Sequence, residues 1–106
     1  MYSVNKIYYE DYANHCMRYY TRSPDAVFDS SVSAKDWLAV NQSLKEFKNS
    51  EKDFLIDCYK SRQDEFEKSV SIVAEEYEIN PSYVWRCIRK LQKLIAINRG
   101  LVKGCE

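Results

Sequence analysis

Apolar side chains recur every three or four residues along most of the chain, which is the spacing of amphipathic α-helices rather than of strands. The first such stretch covers residues 4–20. Its apolar face carries Val4, Tyr8, Tyr9, Tyr12, Cys16, Tyr19 and Tyr20. Residues 25–32 lack this periodicity and are predicted to form a connection, with Phe28 pinned to the core.

Two further helices are predicted in the middle of the chain. Ser33 and Asp36 form an S-x-x-D start for one that runs to Lys48. Its apolar positions are Trp37, Leu38, Leu44 and Phe47. Ser50 and Asp53 start the other, which stops near Ser61. Its buried stripe is Phe54, Leu55, Cys58 and Tyr59.

The last two helices lie close together in sequence. Residues 66–77 place Phe66, Val70, Val73, Ala74 and Tyr77 on one face. Asn80 followed by Pro81 starts a longer helix that ends at Gly100. Its apolar face is Val84, Cys87, Ile88, Leu91, Leu94 and Ile95. The pattern predicts an all-α fold of about five helices.

Composition agrees with this fold class. The chain has 106 residues, of which 45% are hydrophobic, with only two Gly and two Pro to shape tight turns. We expect one compact unit, with a tyrosine-rich helix and connection in residues 1–32 and the main domain in residues 33–106. No apolar run is long enough to cross a bilayer and the N-terminus is not signal-like, which predicts a cytoplasmic protein without a membrane partner.

Catalytic and metal sites have little support in the sequence. Cys16, Cys58 and Cys87 fall on apolar helical positions and are predicted to be reduced core residues, while Cys105 lies in the tail. His15 is the single histidine, and no Gly-rich phosphate loop or nucleophile with a visible base is present. We therefore predict no catalytic residues, no metal and no cofactor.

Charge is distributed unevenly although 16 basic and 16 acidic residues cancel. Residues 81–103 contain no Asp or Glu, whereas residues 51–78 are strongly acidic. The bases of the C-terminal segment are Arg86, Arg89, Lys90, Lys93, Arg99 and Lys103. A helix of one charge sign forgoes the i,i+4 ion pairs that normally support a solvated face, so an anionic partner is indicated.

Only Glu78, Ile79 and Asn80 separate the last two helices, which is the spacing of a helix-turn-helix. Ala74 suits the close crossing, and Ile79 can fill the corner. The outward positions of the second helix are polar and cationic, as a helix in the major groove requires. The predicted DNA-binding residues are Ser82, Trp85, Arg86, Arg89, Lys90, Lys93 and Arg99, with the last three on backbone phosphates. Glu75, Glu76 and Glu78 would repel phosphate and orient the docking.

Residues 44–101 resemble region 4 of the σ70-type initiation factors and the σ-like regulators of phages and mobile elements of Gram-positive bacteria. The resemblance is carried by Leu44, Phe47, the Ser50-Glu51-Lys52 helix start, Phe54, Leu55, Val70, Val73, Ala74, Ile79, Val84, Cys87 and the basic run from Arg89 to Lys93. It implies a transcriptional regulator whose last helix reads double-stranded DNA through Arg86 and Arg89. Glu78 stands where many helix-turn-helix proteins have Gly.

Two alternatives stay open. Trp85 is either a DNA contact or the centre of a protein interface. The tyrosines of the first helix either pack in the core or form a protein interface, such as a homodimer seam; they are Tyr8, Tyr9, Tyr12, Tyr19 and Tyr20. Packing in the core is favoured for the tyrosines. In the rival function, the chain is a small phage-type interaction protein that binds and inhibits a host protein, such as RNA polymerase or a defence nuclease.

Overall fold

Five α-helices and no strand make up the part of the chain that the structure, a computed structural model, describes: residues 4–22, 28, 30–61 and 65–101, with side chains from residue 9 onward. The helices are α1 (Val4–Arg22), α2 (Ser31–Leu44), α3 (Asn49–Lys60), α4 (Phe66–Glu76) and α5 (Pro81–Asn98). The predicted all-α fold of about five helices is therefore confirmed.

α5 lies at the centre of the fold and packs against each of the other four helices. Its stripe of Val84, Ile88, Leu91 and Ile95 is at most 1% exposed. Met17, Val40, Leu55 and Val70 bring one fully buried side chain from each of the other helices into the same core. Burial of one side chain of this size contributes about 1.5–3 kcal/mol, so the shared core holds α5 in one orientation.

The predicted starts of α2 and α3 are wrong by a few residues. Ser30 caps α2, because its Oγ accepts the N–H of Ser33 at 3.2 Å, so this helix begins before the predicted Ser33 start. α2 also ends at Leu44 and not at Lys48. α3 begins at Asn49, where Glu51 Oε1 accepts the Lys48 N–H at 2.9 Å. In both cases the helix begins closer to the N-terminus than the sequence motif indicated, and a side chain near that start accepts a hydrogen bond from a free amide.

The buried face of α2 also differs from the prediction. Leu38 is 55% exposed, because the helix turns Asp36, Ala39, Val40 and Ser43 toward the core instead. The predicted stripes of α3 and α5 are confirmed, with Leu94 only partly buried. On α1 the small and flexible residues Ala13 and Met17 are as deeply buried as Cys16. The predicted apolar face, which is mostly aromatic, does not include Ala13 or Met17.

The three described cysteines are buried and unpaired. Loss of hydration raises the pKa of the Cys16 and Cys58 thiols to about 12. Both thiols are therefore protonated at neutral pH and unreactive as nucleophiles. Their prediction as reduced core residues is confirmed, while Cys105 lies outside the described residues.

The turn between α4 and α5 has a left-handed residue that is not glycine. Glu78 has φ of 57°, and the N–H groups of Glu78 and Ile79 donate to the carbonyls of Glu75 and Ala74 at 3.1 and 2.9 Å. These two bonds form a Schellman motif, which satisfies carbonyls at the end of α4 and turns the chain toward α5. Gly100, with φ of 78°, forms the same motif at the end of α5, as predicted.

We expect Glu78→Gly to stabilise the protein by about 1 kcal/mol in urea unfolding. The left-handed conformation costs a residue with a Cβ about 1–2 kcal/mol, which exceeds the extra backbone entropy that Gly loses on folding. The Glu78 side chain is exposed, and its removal breaks no side-chain contact among the described residues. Glu75→Gly is the control, because the same change within helical α4 should destabilise by about 1 kcal/mol. Destabilisation by both changes would contradict this account of the turn.

Candidate nucleic-acid interface

The surface of α5 opposite its buried stripe is polar and cationic. Ser82, Arg86, Arg89, Lys90 and Lys93 are all exposed, and we call the four bases among them the cationic face. From Ser82 to Lys93 the helix rises about 16 Å at 1.5 Å per residue. Arg86, Arg89 and Lys93 form no ion pair with any described residue, because the one salt bridge of the described region joins Arg99 to Asp36.

The first turn of α5 is held in place by its own cap and by α3. Asn80 Oδ1 accepts the Ser82 N–H at 2.8 Å, and Pro81 occupies the first helical position. In the same turn, the Tyr83 hydroxyl donates to Glu51 of α3. This bond lowers the pKa of Glu51 and raises the pKa of Tyr83 to about 12. The groups are therefore carboxylate and phenol at neutral pH, and they fix the start of α5 against α3.

α4 and α5 meet through the residues that the helix-turn-helix spacing singled out. Ala74, Val84 and Cys87 are at most 6% exposed and lie in the common core. Ile79, in the connection, is partly buried and packs against that core. The small side chain of Ala74 permits the two helices to approach closely. The arrangement leaves the cationic face of α5 on the outside of the pair.

Arg99 corrects the predicted set of DNA contacts. Its Nε donates to Asp36 Oδ1 at 2.6 Å and its Nη2 donates to the Tyr12 hydroxyl at 2.9 Å, while the Tyr12 hydroxyl donates to the same Asp36 oxygen at 2.7 Å. The side chains of Arg99 and Asp36 are 18% and 4% exposed. These contacts join α5 to α1 and α2, so the guanidinium is not available to a phosphate.

Trp85 is also less exposed than the helical wheel indicated. Its ring meets Phe66 of α4 edge to face, with centroids 5.8 Å apart and planes at 80°. Phe66 in turn packs on Tyr59 with centroids 4.7 Å apart. Trp85 is therefore partly buried and packs on α4, and through Phe66 it is linked to Tyr59 of α3, whereas the helical wheel predicted full exposure. Its contact with DNA stays a prediction.

The tyrosines of α1 divide into two groups. Tyr12 and Tyr20 pack against the core, where the Tyr20 hydroxyl donates to Asn41 of α2 at 3.2 Å and the rings of Tyr20 and Trp37 lie 5.0 Å apart. Packing in the core, the favoured interpretation, holds for these two. Tyr9 and Tyr19 are partly exposed, and the side chain of Tyr8 lies outside the described residues.

Acidic side chains cluster at the C-terminal end of α4 and in the turn that joins it to α5. Glu75, Glu76 and Glu78 are exposed. The Tyr77 hydroxyl donates to Asp57 of α3, which raises the pKa of Tyr77 to about 12. The negative charges around this tyrosine make the turn an unfavourable place for a phosphate group.

Other kinds of site find no support in the described part of the chain. No group of three or more His, Cys, Asp or Glu is placed to hold a metal ion there. Within those same residues, none of the helices combines the length and the apolar character needed to span a bilayer. The strongest chemical feature that the structure describes is therefore the cationic face.

Comparison with known proteins yields no significant match to a family model, a curated protein or a solved structure. The geometry and charge of this chain are therefore the observations that bear on its function. Sequence reasoning missed Asp36, which the S-x-x-D pattern presented as a helix start and the structure places as the partner of Arg99.

Proposed function

We propose that the chain binds double-stranded DNA, with α4 and α5 acting as a helix-turn-helix and α5 entering the major groove. The observation that carries the proposal is the cationic face, whose arginines lack carboxylate partners in the described residues. The opposite side of the same helix is fixed in the core. A rigid, one-sign helix surface is favoured when an anionic ligand compensates its self-repulsion.

The dimensions of α5 suit this role. An α-helix with side chains is about 10–12 Å across and the major groove is about 12 Å wide. Arg86 and Arg89 lie in the middle of the exposed stretch, where a guanidinium can donate two hydrogen bonds to the O6 and N7 of guanine. Lys90 and Lys93 follow on the same helix and act on phosphates, while Ser82 reaches the groove from the first turn.

The resemblance to σ region 4 extends the proposal to regulation of transcription. Its helix-packing positions Ala74, Val84 and Cys87 are buried, and Ile79 lies at the corner. Glu78 adopts the left-handed conformation that Gly commonly supplies in such turns. We therefore propose a σ-region-4-like regulator, encoded by a phage or mobile element and acting in the cytoplasm on DNA with RNA polymerase as a further partner.

Binding of a labelled duplex of random sequence, titrated from 50 to 300 mM salt, tests the proposal. If the four bases of the cationic face neutralise phosphates, the slope of log K against log salt should be about −3.6 or steeper. The measurement needs no knowledge of the target sequence, because phosphate contacts also supply non-specific affinity. A protein that stays folded and monodisperse but shows no duplex binding at 50 mM salt would contradict the proposal and favour the rival interaction protein.

A further inference from the structure

The short connection between α2 and α3 lies against the cationic face. The Lys90 Nζ sits over the Phe47 ring, 5.1 Å from its centroid. Phe47 is 7% exposed and anchors the connection in the core. Its neighbours Lys45 and Lys48 are both exposed. A cation–π contact holds the ammonium without neutralising its charge, so Lys90 remains positive beside two more lysines.

The connection is held rigidly by backbone hydrogen bonds. The N–H groups of Lys45, Glu46 and Phe47 donate to carbonyls three residues back, at 3.1–3.2 Å. The Lys48 N–H donates to Glu51, which also accepts the Tyr83 hydroxyl. Because these bonds fix the backbone, binding would cost little loop ordering at this corner.

The charges of Lys48 and Lys90 act on the same carboxylate. The hydrogen bonds from Tyr83 and from the Lys48 N–H lower the pKa of Glu51 most, and the charges of Lys48 and Lys90 lower it further. The Glu51 carboxylate is already engaged by two hydrogen bonds. Glu46 is the acid of the connection itself, so the three lysines Lys45, Lys48 and Lys90 outnumber the two acids Glu46 and Glu51 here.

We propose that Lys45 and Lys48 contact the phosphate backbone along one wall of the groove that α5 enters. This inference rests on the proposed DNA binding and makes the footprint asymmetric. Phosphates approach the flank of α5 that faces the α2–α3 connection, and the acids Glu75, Glu76 and Glu78 keep them away from the α4–α5 turn. The ligand feature recognised is the backbone of duplex nucleic acid, and no base is read by these lysines.

The salt dependence of duplex binding distinguishes this footprint from one confined to α5. On a duplex of random sequence, where Arg86 and Arg89 also contact phosphates, six phosphate contacts predict a log–log slope near −5.4, and Lys45→Ala/Lys48→Ala should return it to about −3.6. Lys60→Ala/Lys68→Ala is the matched control, since it removes two exposed lysines and the same net charge from α3 and α4. Lys45→Arg/Lys48→Arg should retain the steep slope.

Equal slopes for the wild type and the Lys45→Ala/Lys48→Ala variant would overturn the inference while leaving DNA binding by α5 intact. Equal reductions in both lysine-to-alanine variants would also overturn it, because the effect would then follow net charge and not position. Absence of duplex binding by the wild type would overturn both the inference and the proposed function. Thermal unfolding of each variant checks that the fold is retained.

Discussion

We expect Arg86→Ala/Arg89→Ala to lower the affinity for a duplex containing the preferred site by about 30-fold to 20,000-fold. Each bidentate contact between an arginine and a guanine is worth about 1–3 kcal/mol, and a tenfold change corresponds to about 1.4 kcal/mol. Fluorescence anisotropy at fixed salt measures the loss, using a duplex obtained by selection with the purified wild type. The fold should be unaffected, because both side chains are exposed and form no ion pair with described residues.

Arg18→Ala/Arg22→Ala is the matched control for this pair. Both arginines are exposed on α1, and their removal changes the net charge by the same amount. We expect less than about a threefold loss of affinity, since α1 packs on the core side of α5 and not on its cationic face. If the Arg86→Ala/Arg89→Ala variant kept full duplex affinity, recognition through α5 would be refuted and the rival protein interface favoured.

We expect Asp36→Ala to destabilise the protein by about 3–5 kcal/mol in urea or thermal unfolding. The carboxylate is 4% exposed and accepts hydrogen bonds from Arg99 and Tyr12, so its removal leaves a largely buried guanidinium without a counter-ion. Such a loss is a large fraction of the 5–15 kcal/mol that stabilises an ordinary domain. The effect should reach across α1, α2 and α5, because this cluster joins all three helices.

Two further variants separate the ion pair from general damage. Asp36→Ala/Arg99→Met should lose less stability than Asp36→Ala alone, because no unpaired charge then remains in the interior. Asp11→Ala removes an exposed aspartate from α1 and should change stability by no more than about 0.5 kcal/mol. A cost below 1 kcal/mol for Asp36→Ala would show that the pair behaves as a surface salt bridge.

Local pattern was sufficient for most of the fold. The stripes of α3, α4 and α5 could be predicted because apolar residues at helical spacing have one plausible buried side. The start of α5 was equally accessible, since the Asn80 cap and Pro81 satisfy requirements that lie within one helical turn. α2 was harder to predict, because Asp36 and Ser43 share its buried face with apolar residues and Leu38 does not.

Some residues of the candidate site could be predicted from the sequence and others could not. Arg86, Arg89, Lys90 and Lys93 could be assigned to one outward face from helical geometry alone, whereas Trp85 could not, because its exposure depends on where Phe66 of α4 lies. Lys45 and Lys48 carried no local signal. The role proposed for them depends on Phe47, which brings their connection beside Lys90, more than 40 residues later in the chain.

Helix formation, the apolar faces of α3, α4 and α5, and a C-terminal helix with positive charge and no acids could all be predicted from the amino-acid sequence. Those properties depend on neighbours within one or two helical turns. Which of the cations remain exposed depends instead on how the helices pack. Arg99 forms an ion pair with Asp36, 63 residues away in the chain, and is therefore not part of the exposed cationic face. This pair forms only because the packing of three helices brings the two side chains together.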